Sequence, residues 1–133
     1  MVDTYPLLAA EQRDRCVTEA EADAGWHLAL GDHGDRRLLP LDRAIMRVGR
    51  SAQCEVRIDH RSVAPQHAVL AARREGYLLF VDSPAWRTFV NGRRINDTVL
   101  LRDYDIVILG ETLVVARLVI RPHGRQPVTV RSW

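Results

Sequence analysis

From Trp26 onward, short apolar runs of four to seven residues recur about every ten positions, and no helical period survives between them. Trp26-Leu28-Leu30 alternates with His27 and Ala29, and Asp32-His33-Gly34-Asp35 then supplies a turn. Arg36–Leu41 and Ala44–Val48 read as the second and third strands. Cys54, Val56 and Ile58 face one way while Glu55, Arg57 and Asp59 face the other, the alternation of a half-buried strand. His67–Ala72 and Tyr77–Val81 flank Arg74-Glu75-Gly76 and predict a hairpin. Phe89-Val90 and Arg93-Arg94-Ile95 flank Asn91-Gly92, the strongest two-residue hairpin signal. Val99–Leu101, Ile106–Leu109 and Leu113–Ile120 complete a set of ten or eleven strands. The pattern predicts an all-β fold, an antiparallel β-sandwich of about eleven strands.

Leu7–Asp23 breaks this pattern. It is rich in Ala, Glu and Arg, and Gly25 follows as a stop, but its apolar positions form no clean stripe. The expectation is a weak helix or a mobile arm that buries little. The chain thus divides into an acidic N-terminal arm at 1–24, a sandwich at 25–120 and a basic C-terminal tail at 121–133. The arm carries six acids against two arginines, a net −4. Residues 25–120 carry fourteen arginines against eleven acids, and the tail adds three arginines with no acid.

At 133 residues, with 47% apolar and 27% charged positions, the composition is that of one ordinary globular domain. The richest apolar run, Leu113–Ile120, is interrupted by Arg117, so no membrane partner is expected. The N-terminus lacks a basic region followed by an apolar core, and a cytoplasmic location is expected. Cys16 and Cys54 match no disulfide scaffold or metal knuckle, so neither metal nor cofactor is expected. All nineteen basic residues are arginine, a type suited to bidentate recognition of phosphate or carboxylate. A pI near 8.8 with scattered charges does not argue nucleic-acid binding.

Four segments, in order, resemble the forkhead-associated (FHA) domain family. Arg47-Val48-Gly49-Arg50-Ser51 is similar to the family's Gly-Arg after the third strand. Val63-Ala64-Pro65-Gln66-His67-Ala68 stands where the family has Val-Ser-Arg-x-His-Ala. Thr88-Phe89-Val90-Asn91-Gly92 resembles the end of its Asn-Gly-Thr-x-Val-Asn-Gly stretch, and Leu101–Gly110 resembles Leu-x-x-Gly-Asp-x-Ile-x-Ile-Gly. The resemblance implies a sandwich whose apical loops bind phosphothreonine in partner proteins, using an arginine, a serine hydroxyl and an asparagine. It places Arg50 at the phosphate-binding arginine. It makes His67 a brace between loops, with Gly49 and the Asn91-Gly92 turn structural.

The departures from that pattern matter. Ala64 replaces the phosphate-binding serine, and Pro65 stands where an arginine is common. Asp82–Arg87 is shorter than the family loop by about one residue, and Trp86-Arg87 takes the place of its Asn-Gly. Hydrogen bonds to charged groups contribute about 1.5–3 kcal/mol each, so losing two costs about 10²- to 10⁴-fold in affinity. Ser51, Arg61, Ser62 and Arg87 lie in the same loops and are candidates to compensate. The leading reading is a non-catalytic adaptor or scaffold that docks a partner protein through its apical loops without requiring phosphate. The alternative is a phosphothreonine reader with a remodelled pocket centred on Arg50, with Thr4 or Thr18 as a ligand within the chain. Trp86 is either an exposed anchor rimmed by Arg50, Arg61 and Arg87 or an inward cap on its loop. An enzyme is not expected: Ser62, His67 and Asp82 form the only set that suggests a triad, and no nucleophile elbow surrounds them.

Overall fold

The computed structural model describes residues 4–31 and 35–120. The turn at His33 and the tail at 121–133 lie outside the described residues. Among the described residues, eleven strands form two sheets. The first sheet contains β1 (Gly25–Leu30), β2 (Arg37–Pro40), β7 (Thr88–Val90), β8 (Arg93–Arg94), β10 (Ile106–Leu109) and β11 (Thr112–Val119), in the order β2-β1-β11-β10-β7-β8. The second contains β3 (Ile45–Gly49), β4 (Val56–Arg57), β5 (Ala68–Arg73), β6 (Gly76–Val81) and β9 (Thr98–Leu100), in the order β4-β3-β5-β6-β9.

Alternation fixes which face each strand buries. Met46, Val48, Leu70, Leu79, Val107, Leu109 and Val114 point between the sheets and form the main core with Leu28, Leu30 and Leu39. The Asn91-Gly92 turn has φ of 52° and 83°, the positive pair that a two-residue hairpin requires. One pairing departs from the antiparallel expectation. β4 runs parallel to β3, with Val48 opposite Val56 and Gly49 opposite Arg57. Loop 50–55 curls back beside its own strand because Glu55 holds Arg47 by a two-pronged ion pair and also accepts the Arg47 backbone N–H at 2.7 Å.

The arm also departs from expectation, since it buries a good deal. Among its described residues only Tyr5–Leu7 and Ala10–Arg13 are helical, as short turns. Leu8 is 2% exposed and joins the main core, bridged to Ile58. Thr4 is fully buried and donates to the Leu113 carbonyl, and the Gln12 side chain accepts the Arg57 N–H. Val17 exchanges two backbone hydrogen bonds with Leu38, and Ala22 packs on Ala29, Val115 and Val119. The arm therefore covers the outer face of β1, β2 and β11 with a second small core. The missing stripe is explained by its contacts, which are made by a crossing chain and not by a helix face.

Candidate functional site

Four loops meet at one end of the sandwich: 50–55, 58–67, 82–87 and the Gly110-Glu111 turn between β10 and β11. Backbone hydrogen bonds weld them. Arg50 and Ser51 donate to the carbonyls of Ala64 and Pro65, Asp82 and Ser83 donate to His67, and Gly110 donates to Arg87. Two glycines permit the close approach. A Cβ at Gly49 would run into the Pro65 carbonyl, and one at Gly110, where φ is +63°, into the Ser62 carbonyl.

His67 holds this assembly from inside and has no exposed surface. Its Nδ1 accepts the Ala64 N–H at 3.0 Å, so the proton sits on Nε2, which donates to the Arg87 carbonyl at 3.0 Å with Thr88 Oγ1 also at 3.0 Å. Burial holds its pKa below the ordinary histidine value and keeps the ring neutral. One ring thus links loop 58–67 to loop 82–87. Asn91 makes a comparable brace at the far end of β7: its Nδ2 donates to Asp105 and its Oδ1 accepts the Ile106 N–H.

The candidate recognition residues are brought together unevenly. Ser62, Trp86 and Arg87 line a common cleft of about 290 Å³ with Ala85, Gly110 and Glu111. Trp86 is 37% exposed and lies outside both core clusters, so it faces the cleft and does not cap its loop inward. Arg50 borders the neighbouring loop, half-buried, with its Nε donated to the Val63 carbonyl at 3.0 Å. Its two terminal nitrogens have no partner among the described residues. Ser51 uses its hydroxyl oxygen to accept the Gln53 N–H. Arg61 is exposed at the tip of its turn and is not among the cleft-lining residues.

Ala64 is 1% exposed, so it contributes nothing to an apolar docking surface; Pro65, Pro84, Ala85 and Trp86 supply the exposed apolar part. Thr4, within the arm, is fully buried with its hydroxyl on the Leu113 carbonyl and cannot serve as a ligand of the loops in this fold. The suggested triad is not assembled either. Ser62 Oγ lies 2.7 Å from His60 Nδ1 and accepts the Glu111 N–H at 2.8 Å, while His67 spends both ring nitrogens on Ala64, Arg87 and Thr88.

Sequence reasoning missed His60 and Glu111. Glu111 brings a carboxylate to the cleft, and His60 fixes the Ser62 hydroxyl. The signal available was the Leu109-Gly110 ending of the fourth motif, because a glycine with positive φ there marks a turn pressed against another loop.

Two short-edged sheets with a cleft built wholly from inter-strand loops define a β-sandwich recognition domain. More specifically, residues 46–110 match the FHA domain family, and the chain carries an FHA domain. No curated protein matches it in sequence. Among solved structures, it is similar to the FhaA FHA domain in complex with the intracellular domain of Rv3910, at 24% identity and a TM-score of 0.62, over 69% of this chain and 99% of that one. It is also similar to Mycobacterium tuberculosis EmbR in complex with a low affinity phosphopeptide, at 23% identity and a TM-score of 0.66. That match covers 84% of this chain and only 29% of EmbR. The FHA domain of the CT664 protein from Chlamydia trachomatis gives 21% identity and a TM-score of 0.63, over 71% of this chain and 97% of that one. At these identities the likeness establishes the fold.

Proposed function

We propose that this domain is a non-catalytic protein-interaction module that docks a partner through the apical cleft and does not require phosphothreonine. The observation that carries this reading is the state of the donors. Ala64 has no hydroxyl, the Ser62 proton is directed at His60, and Arg50 Nε is held by Val63. Glu111 also places a carboxylate where a phosphate dianion would meet like charge. What the cleft still offers is the exposed indole of Trp86, the exposed Ala85 and the end of Arg87, with exposed Pro65 and Pro84 and the ends of Arg50 and Arg61 in the adjoining loops. These three arginine ends have no partner among the described residues. Tryptophan and arginine dominate interface hot spots because they combine large buried area with a polar handle. The partner that fits is an unmodified or acidic protein segment with an apolar side chain for Trp86.

Peptides selected from an unphosphorylated display library against the intact chain test the site. Trp86→Ala should weaken the selected binders by at least about 2 kcal/mol, roughly thirtyfold, with the melting temperature nearly unchanged. Loss of stability with binding intact would assign Trp86 to the fold and remove the interface from this cleft.

A further inference from the structure

The two sheets end in four edge strands, β2 and β8 on one and β4 and β9 on the other. An open edge is a row of unpaired backbone N–H and C=O groups, so how each edge is protected is informative. The arm covers two of the four. Val17 exchanges two hydrogen bonds with Leu38 of β2, and beside β4 Gln12 Oε1 accepts the Arg57 N–H while the Leu7 carbonyl accepts that of Asp59. β8 is only Arg93-Arg94, short and charged, which itself discourages pairing. β9 has neither protection and reads Thr98-Val99-Leu100. Asp97 and Leu101 bond inward to Val81 and Tyr77 at 2.8 and 2.9 Å, so Val99 faces β6 and the backbone groups of Thr98 and Leu100 face outward. Those N–H and C=O groups have no partner among the described residues.

Beside this edge, between β8 and β9, lies a cleft of about 340 Å³ walled by Val90, Ile95, Val99 and Leu100. It shares no lining residue with the apical cleft. Arg93 and Arg102 also line it; both are exposed, and neither guanidinium has a partner among the described residues. The carboxylate in the lining, Asp105, is already committed, with Oδ1 on the Asn91 amide and Oδ2 on the Arg102 N–H. The uncommitted charge is therefore positive. A strand added to β9 continues its alternation, so every second side chain points between the sheets as Val99 does, toward the cleft. We propose that β9 is an open docking edge for an extended acidic segment of another protein. That segment pairs with Thr98 and Leu100, places an apolar side chain in the cleft and sets carboxylates against Arg93 and Arg102. A second copy of β9 fits less well, since that strand carries no acid to meet the arginines.

The intact chain is titrated with a capped peptide, acetyl-Thr-Glu-Thr-Leu-Thr-Glu-Thr-amide, in which glutamates flank leucine on one face of an extended strand. The same peptide with both glutamates replaced by lysine is the control. NMR should show saturable shifts at the Thr98 and Leu100 amides and slower hydrogen exchange at both. The lysine peptide, and the double variant Arg93→Gln with Arg102→Gln, should each reduce binding at least about tenfold. Leu100→Pro removes an outward donor and leaves the bonds to β6 in place, so it should abolish binding with the fold retained. Absence of saturable shifts, shifts confined to the apical loops, or equal binding of the lysine peptide would overturn the proposal. So would slowed exchange at Thr98 and Leu100 that grows with protein concentration in the absence of peptide, because a second copy then occupies the edge.

Discussion

His67 shows how one side chain converts separate loops into a surface. Replacing it by alanine strands the buried Ala64 N–H and the buried Thr88 hydroxyl, and each unsatisfied group costs about 1–3 kcal/mol. His67→Ala should therefore lower the denaturation midpoint markedly with the denaturant slope unchanged, in the absence of any ligand. A variant of unchanged stability would remove His67 from its bracing role. Gly110→Ala should be comparably damaging, because the new methyl meets the Ser62 carbonyl and the residue sits at φ +63°. Part of this was legible in the sequence. The resemblance of Val63–Ala68 to the family motif implied the His67 brace, and the Asn91-Gly92 pair marked the hairpin. Tyr104 was not legible: it occupies the family's glycine position at φ +72°, a conformation unfavourable for a side chain, with the buried Arg117 guanidinium 4.5 Å from its ring. Nothing in the local sequence announces that long-range partner.

At the scale of elements, the arm carries the clearest consequence. Its contacts include a buried Leu8, a two-bond bridge to β2 and the Glu19–Arg117 ion pair at 2.6 Å, with Arg117 only 7% exposed. Burying one leucine contributes about 1.5–3 kcal/mol, before any hydrogen bond is counted. Deleting residues 1–23 should thus lower the melting temperature by at least about 10 °C. An unchanged melting curve would show that the sandwich is self-sufficient. The sequence misjudged this segment because its apolar residues are spaced for a crossing chain, which leaves no period to detect.

Loop 50–55 makes a second prediction at this scale. The Arg47 guanidinium holds the Glu55 carboxyl at about 2, below its ordinary 4.5. The folded form therefore binds the proton more weakly than the unfolded chain, so this pair stabilises fully above pH 4.5 and is lost as the pH falls toward 2. Comparing thermal unfolding of the wild type with Glu55→Gln should show a gap that closes across that window. A gap constant with pH would contradict the assignment.

For the whole molecule, periodicity located the strands and four ordered motifs named the domain, because both are local in sequence. The parallel β3–β4 pairing, the docked arm and the joining of Glu111 to Ser62 are contacts between distant segments, and local pattern does not encode them. The docking surface is likewise a joint property of distant loops: the Ser62 hydroxyl is spent on His60, Ala64 offers none, and the ends of Arg50, Arg61 and Arg87 surround an apolar cleft. Isothermal titration of the intact chain with a selected threonine-containing peptide and its phosphorylated twin tests this most directly. The predicted result is dissociation constants within about threefold of each other, a ratio that Arg50→Ala leaves unchanged. A phosphorylated peptide bound at least a hundredfold more tightly, with that advantage abolished by Arg50→Ala, would contradict it.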